Sequence, residues 1–135
     1  LQPILADLTR DNKFTIPNSD KLIHDIEHLN KNELINENSI LFNADIESLY
    51  PNINLNRFMH FLSHRLKASK YSHIRPFILE LIAVVLFRYD FKYNNNYYLQ
   101  IQGVSMGVSF ATDLANLYLE FLDIELNKID KNLKF

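Results

Sequence analysis

The sequence predicts an α+β fold in which a small antiparallel sheet is packed by helices. Three features of the 135 residues indicate this class: several segments with apolar residues at helical spacing, one apolar segment of strand length, and two short aromatic segments separated only by asparagines. After a helix end at Leu1–Thr9, the predicted elements in chain order are α-β-α-α-β-β-α. Consecutive strands joined by a tight turn run antiparallel, and mixed runs of helices and strands are typical of α+β domains.

The first 38 residues are predicted to be mainly helical. Leu1–Thr9 has the pattern of the end of a helix. Ser19 is a candidate N-cap for a second helix that runs to about Leu29. The apolar residues of this helix fall on one face: Leu22, Ile23, Ile26 and Leu29. Residues 30–38, which are rich in Asn, Lys and Glu, are predicted to form a loop.

The next segment, Ser39–Ile46, has the apolar composition of a buried strand and is predicted to end before Pro51-Asn52. It carries Asp45 at its end, and Glu47 follows two positions later. Charged side chains are rarely buried without a partner, so an acid at this position calls for a functional explanation.

Two consecutive helices are predicted after this strand. Asn54 or Asn56 is expected to cap the first, which continues to Ala68. Its inner face is predicted to contain four apolar residues: Phe58, Phe61, Leu62 and Leu66. Ser72 is a candidate cap for the second helix, which ends near Arg88 and is apolar enough to be buried.

The final third is predicted to be a hairpin followed by a long helix. Phe91–Tyr93 and Tyr97–Ile101 are the candidate strands, and residues 94–96 between them are asparagines, which tolerate the positive φ of tight turns. A loop with two glycines follows. The last helix is predicted from about Val108 to Lys128.

Composition narrows the class of function. The chain has no cysteine, which excludes disulfides and cysteine-ligated zinc. The longest apolar run, Phe77–Phe87, is interrupted by Glu80 and is too short to span a bilayer, so we expect no membrane partner. The chain begins at Leu1 with no basic-then-apolar leader, which leads us to expect a fragment of an intracellular protein.

Charge is unevenly distributed along a chain whose net charge is −2. Residues 48–112 hold seven Lys and Arg against two Asp and Glu, and no acidic residue lies between Ser48 and Leu79. Such a segment could bind a phosphate backbone, or could be only the solvated face of a helix. The basic residues in it are Arg57, Arg65, Lys67, Lys70 and Arg75.

The two glycines of the protein, Gly103 and Gly107, lie four residues apart in the segment QGVSMG. Both fall where a predicted strand passes into a predicted helix. Glycine there allows positive φ and close approach of a ligand to the backbone, and a helix N-terminus suits an anion. The alternative is a tight turn that binds nothing. The segment lacks the Gly-Lys-Ser/Thr of a Walker A loop and the third glycine of a dinucleotide fingerprint.

Histidines also recur at helical spacing, in the pairs His24/His28 and His60/His64. An i, i+4 pair can hold zinc on one helix face, but neither pair stands in an H-E-x-x-H motif and no third ligand is evident. We therefore expect surface or half-buried histidines rather than a zinc site.

Two segments resemble conserved motifs of reverse transcriptases. NADIESLYPNI resembles motif A: an apolar strand, an aspartate at its end (Asp45) and an aromatic residue five positions later (Tyr50). YLQIQGVSMGVSFATDLANLYLE resembles motif B, and is most similar to the Penelope-like branch, whose pattern is Tyr-x-Gln-x-x-Gly-x-x-Met-Gly followed by a helix with Ala-Asn-Leu and a glutamate. The matching residues are Tyr98, Gln100, Gly103, Met106, Gly107, Ala115, Asn116, Leu117 and Glu120.

The resemblance implies a partial polymerase palm: residues 1–38 would connect fingers and palm, and residues 39–135 would be palm with motifs A and B. It implies template-directed deoxynucleotidyl transfer with an RNA template, a DNA primer and deoxynucleoside triphosphates. Mg²⁺ or Mn²⁺ would be the cofactor, bound by the Asp45 carboxylate and the Ile46 carbonyl, with Asp45 catalytic. Tyr50 would be a steric gate against the ribose 2′-hydroxyl.

The motif B residues would lie along the incoming nucleotide: Gln100, Gly103, Met106 and Gly107. The basic residues between 57 and 75 would contact nucleic acid. If the parent is a eukaryotic retroelement protein, the resemblance implies a nuclear location.

The sequence also departs from the family pattern. Val108-Ser109 stands where many relatives have Ser-Pro, and no Tyr-x-Asp-Asp of motif C occurs in the 135 residues. The resemblance therefore implies a fragment that is inactive alone, without motif C and thumb. Two alternatives stay open: a degenerate or domesticated palm that binds nucleic acid without catalysis, and an unrelated α+β interaction domain.

Overall fold

The computed structural model describes residues 1–10, 12–40 and 42–129, and in this part the α+β class with one small antiparallel sheet is confirmed. The α-helices are α1 (Gln2–Thr9), α2 (Ser19–Lys31), α3 (Leu49–Asn52), α4 (Leu55–Lys67), α5 (Arg75–Phe87) and α6 (Ala111–Ile129). The strands are β1 (Asp90–Tyr93) and β2 (Asn96–Leu99). The chain divides into two compact units: a larger one formed by Leu1–Asn12 and the chain from Ser48 onward, and a smaller one formed by Lys13–Glu47.

The smaller unit is built around α2. Asn18 caps this helix, because its side-chain oxygen accepts a hydrogen bond from the Lys21 backbone N–H at 2.9 Å. Ser19, the predicted cap, is instead the first helical residue. The helix ends at Lys31, two residues later than predicted. Leu22, Ile23 and Ile26 on its predicted apolar face are exposed, and Leu29 is half-buried.

The prediction of a buried strand over Ser39–Ile46 is wrong for the residues that the structure describes; Leu41 lies outside them. Residues 39–40 and 42–46 have no regular structure, and Ile40 is 86% exposed. A strand needs a neighbour to pair its backbone, and none of the described residues supplies one here. Pro51-Asn52, predicted to end the strand, belongs to α3.

The larger unit has one hydrophobic core between helices. In it α4 packs against α5 and α6, and α1 packs against α6. The largest side chains that are fully buried come from α1, α4, α5 and α6 and from the turn before α4: Leu5, Ile53, Phe58, Leu62, Leu66, Ile78, Ile82, Leu114 and Leu117. Their spacing of three or four residues in each helix places them on one face.

Helix α4 follows its prediction closely. Asn54 caps it by accepting the Arg57 backbone N–H at 3.0 Å, and the helix ends at Lys67 with Ala68 as the C-cap residue. The predicted inner face is buried except for Phe61, which is half-buried and contacts Phe121 of α6 with ring centroids 5.5 Å apart.

Helix α5 begins at Arg75, after a 3₁₀ turn at Ser72–Ile74, so Ser72 does not cap it. Its end at Phe87 agrees with the prediction. The prediction that the whole helix is buried is wrong: one side of it packs into the core, whereas Phe77 is 60% and Val84 is 53% exposed. Apart from Arg75 and Glu80 this helix is apolar, so composition alone does not show which side the core covers.

The predicted hairpin is confirmed, with different bounds: β1 begins one residue earlier than predicted, and β2 runs over Asn96–Leu99 instead of Tyr97–Ile101, so Asn96 belongs to the strand and not to the turn. Its strands pair antiparallel with Phe91 opposite Tyr98 and Tyr93 opposite Asn96. Asn94 and Asn95 form the turn with φ values of 48° and 62°, the positive values that asparagine tolerates. After the loop that follows, α6 begins at Ala111 rather than near Val108.

Candidate functional site

Residues 48–53, the part of the motif A-like segment that belongs to the larger unit, form a compact turn. Ser48 has a left-handed backbone with φ of 53°, and the short helix α3 follows it. Asn52 donates from its side-chain amide to the Ser48 carbonyl at 3.1 Å. Tyr50 is half-buried and packs against the core, and Ile53 is fully buried. The turn is therefore anchored at its end and closed by its own hydrogen bonds.

Gly103 joins the motif B segment to this turn through the backbone. The Val104 N–H donates to the Tyr50 carbonyl at 2.9 Å. Gly103 has φ of +72°, and a Cβ on it would lie 2.5 Å from the Pro51 carbonyl oxygen and 2.6 Å from the Pro51 Cα. A side chain has no room here, because backbone lies on the other side. The sequence left open whether this glycine admits a ligand or forms a turn; in the structure its close contact is with Pro51.

Gly107 has a different environment. It is exposed and has no positive φ; a Cβ on it would first meet the Tyr89 hydroxyl at 3.0 Å. The Ser105 hydroxyl oxygen accepts the Gly107 N–H at 3.3 Å, which tightens the loop. Met106 is 82% exposed. The two neighbouring motif residues thus lie on the surface, open to a ligand.

The loop that carries these residues is held at its ends by the core. Val104, Val108 and Phe110 are buried, while the residues between 104 and 108 are more exposed. Before it, the Gln100 N–H donates to the Tyr89 carbonyl at 2.8 Å, and the Gln100 side chain donates to the Gln102 carbonyl at 3.0 Å. The side chain of Gln100 is therefore used within the loop.

Asp45, Ile46 and Glu47 lie at the end of the smaller unit. All three are exposed, and the backbone of Asp45 and Ile46 is irregular. Within the described residues no group of three or more His, Cys, Asp or Glu is placed to hold a metal ion. Mg²⁺ is usually held by one or two carboxylates and keeps several waters, so one carboxylate and one carbonyl would supply only part of its six oxygen ligands.

Two of the five basic residues that were predicted to contact nucleic acid bind other groups of the protein itself. Arg65 donates to the Leu8 carbonyl at 2.8 Å, and its guanidinium lies 3.4 Å from the Glu120 carboxylate. Lys70 lies 2.8 Å from the Asp7 carboxylate. Both contacts tie α1 to the rest of the larger unit, so these cations have a structural explanation.

The remaining three, Arg57, Lys67 and Arg75, have no ion-pair partner in the part of the chain that the structure describes. Arg57 and Lys67 are exposed on α4, and Arg75 is half-buried at the start of α5. These are the cations that stay available for an anionic partner.

The contacts between Asp7, Lys70 and Tyr71 shift the pKa values of Asp7 and Lys70. The hydrogen bond from Lys70, followed by that from the Tyr71 hydroxyl at 3.1 Å, holds the pKa of Asp7 below its usual value of 3.8. The same hydrogen bond and the negative charge of Asp7 raise the pKa of Lys70 above 10.5. Each group thus favours the charged form of the other.

The sequence did not predict the ion pair between Arg65 and Glu120. It led us to expect that Arg65 contacts nucleic acid and that Glu120 belongs to the segment that resembles motif B. Glu120 is the buried charged residue of α6, only 6% exposed. A signal was present: an acid that falls on the apolar face of a helix requires a partner. Sequence spacing could not identify that partner, since the two residues lie on different helices.

The histidine pairs are surface features. His60 and His64 are exposed on α4 with ring centroids 4.7 Å apart, and His24 lies 3.5 Å from Asp25. A separate polar groove of about 280 Å³ lies in the larger unit, between the α3–α4 junction and the loop after β2, and it is lined by Asn52, Ile53, Asn54, Leu55, Asn56, Phe87, Ile101 and Gln102.

Comparisons of the chain with protein-family models, with curated proteins and with solved structures find no match. Over the described ranges, none of the helices combines the length and the apolar character needed to cross a membrane.

Proposed function

We propose that this chain is part of the palm of a reverse transcriptase, most similar to the Penelope-like branch, and that it carries motifs A and B. The observation that supports this best is the contact between the two motif segments, about 50 residues apart in sequence. The Val104 N–H bonds the Tyr50 carbonyl at 2.9 Å, and Gly103 fits against Pro51 only because it has no side chain. A nucleotide surface built from Tyr50 and the loop Gly103–Gly107, both in the larger unit, requires such a junction.

In this proposal Asp45 is the catalytic carboxylate and a ligand of Mg²⁺ or Mn²⁺, together with the Ile46 carbonyl. The metal would neutralise triphosphate charge when bound. The proposal requires further carboxylates from outside these 135 residues, since they contain no Asp-Asp pair. It therefore predicts that these residues alone do not polymerise.

Tyr50 is the proposed gate for the sugar, and the exposed Met106-Gly107 pair is the proposed surface for the incoming nucleotide. Arg57, Lys67 and Arg75 are the proposed contacts to the RNA template or DNA primer, because Arg65 and Lys70 are bound within the protein. A cation that is already paired contributes less to counterion release.

The test is primer extension on an RNA template by the longer protein that contains these residues. Asp45→Asn keeps the shape of the side chain and removes its charge, and we expect it to abolish synthesis while template binding is kept. Asp20→Asn, an exposed acid of the same unit, is the matched control and should leave synthesis unchanged. Synthesis that survives Asp45→Asn would refute the catalytic role.

The same assay separates the proposal from the alternative of a palm that binds nucleic acid without catalysis. That alternative predicts binding of the primer–template but no extension by the unmodified protein. Extension that depends on Asp45 excludes it.

The gate is tested by nucleotide choice. Tyr50→Val shortens the side chain, and we expect incorporation of ribonucleotides to rise relative to deoxynucleotides. Tyr50→Phe is the control because it keeps the ring and should keep the discrimination. Unchanged discrimination in Tyr50→Val would remove the gate assignment.

A further inference from the structure

The β1–β2 hairpin is exposed over its whole length. All eight strand residues are exposed, and no third strand joins the sheet among the residues that the structure describes. An isolated two-stranded hairpin is marginally stable in water, and sheets become stable with three or more strands. The exposed strand residues include five large apolar or aromatic ones: Phe91, Tyr93, Tyr97, Tyr98 and Leu99. A free edge with this composition is a template for pairing with another strand.

The register shows which backbone groups point to the free edge of β1. The Gln100 N–H bonds the Tyr89 carbonyl at 2.8 Å, so this opposed pair is a hydrogen-bonded one. Hydrogen-bonded and non-hydrogen-bonded pairs alternate in an antiparallel ladder, and Phe91 is therefore bonded to β2 as well. It follows that Asp90 and Lys92 direct their backbone N–H and C=O groups away from β2.

We propose that β1 pairs with β1 of a second copy of this chain, antiparallel and centred on Phe91, to form a four-stranded sheet. In this register Asp90 lies opposite Lys92 of the second copy, and Lys92 lies opposite its Asp90. These are the residues whose backbone groups face outward, so both pairs can form ladder hydrogen bonds. Phe91 meets its own copy at the two-fold axis, where opposed side chains are closest.

Charge complementarity indicates that the strand that pairs with the free edge of β1 is β1 of a second copy. Directly opposed residues share a face of the sheet, so the register places two Asp–Lys pairs across the seam. A one-residue shift in register would place Asp90 opposite Phe91 or Tyr93 and remove both pairs. The outer edge of β2 presents Tyr97 and Leu99, which carry no charge to select a register. This inference does not depend on the proposed polymerase function.

Charge-reversal variants test the register. Asp90→Lys places lysine opposite lysine, and Lys92→Asp places aspartate opposite aspartate, so each variant should self-associate about tenfold or more weakly than the wild type. A mixture of the two variants restores both attractive pairs and should form a heterodimer. The double variant D90K/K92D restores them within a homodimer.

The measurement is sedimentation equilibrium of the 135-residue chain from about 10 μM to 1 mM, a range suited to a small interface. Lys92 also lies 5.8 Å from the Tyr97 ring, so loss of that contact could alter the hairpin. The double variant also loses this contact, so if its self-association recovers, the loss in the single variants comes from strand pairing and not from folding.

Glu37→Lys and Lys13→Asp, at exposed positions of the smaller unit, are controls with the same charge changes. The proposal is overturned by a wild type that stays monomeric, or by a mixture that associates no better than its components.

Discussion

Gly103→Ala should destabilise the larger unit strongly, because two penalties act at one position. The backbone has φ of +72°, which costs an alanine about 1 to 2 kcal/mol. The new Cβ would lie 2.5 Å from the Pro51 carbonyl oxygen and 2.6 Å from the Tyr50 carbonyl oxygen, so backbone must move. Overpacking of this kind costs about 1 to 3 kcal/mol, which gives a loss of roughly 2 to 5 kcal/mol in the free energy of unfolding.

The assay is urea denaturation followed by circular dichroism, with Gly107→Ala as the control. At Gly107 the nearest atom to an added Cβ is the Tyr89 hydroxyl at 3.0 Å, on a side chain that can shift. We expect that variant to lose less than about 1 kcal/mol, since it avoids both strain and a backbone collision. A Gly103→Ala variant as stable as Gly107→Ala would refute the argument that the two motif segments meet through this glycine.

Three further outcomes are expected. Arg65→Met removes the guanidinium that lies 3.4 Å from the buried Glu120 carboxylate. It should lower the free energy of unfolding, measured by urea denaturation, by about 2 to 4 kcal/mol, and by less when Glu120→Met is added. Asp7→Asn should lower the free energy of unfolding at neutral pH, where the Asp7 carboxylate is charged and accepts a hydrogen bond from Lys70. Because the pKa of Asp7 in the folded protein lies below 3.8, the difference in unfolding free energy between variant and wild type should disappear as the pH falls through that lowered pKa. Denaturation between pH 2 and about pH 7 measures this difference. Arg57→Gln should reduce the slope of log affinity against log salt for duplex nucleic acid by about 0.9, and an unchanged slope would remove Arg57 from the interface.

Elements set by local chemistry were predictable from the sequence. The hairpin follows from the residues at its turn, since Asn94 and Asn95 adopt positive φ. Helix α4 follows from the Asn54 cap and the spacing of its apolar residues. These signals lie within a few residues of the element that they specify, and burial by the rest of the chain does not alter them.

Elements that depend on distant partners were not predictable. Residues 39–46 have a strand's composition, but the structure gives residues 39–40 and 42–46 no pairing neighbour among the described residues. Helix α5 is apolar apart from Arg75 and Glu80, and only the packed structure shows that Ile82 is buried and Phe77 exposed. In the site, the sequence predicted that Gly103 lies where the backbone has positive φ or is closely approached by another group. It could not show that the neighbour is Pro51, because that contact joins segments far apart in the chain.

The central claim is that Asp45 and the joined motif segments belong to a polymerase. The most direct measurement is incorporation of labelled dTTP on a poly(rA) template with an oligo(dT) primer, by the longer protein and its Asp45→Asn variant at equal concentration. We expect template-dependent incorporation by the unmodified protein and a rate at least about 100-fold lower in the variant. Equal incorporation by the two proteins, or none by the unmodified protein, would contradict it.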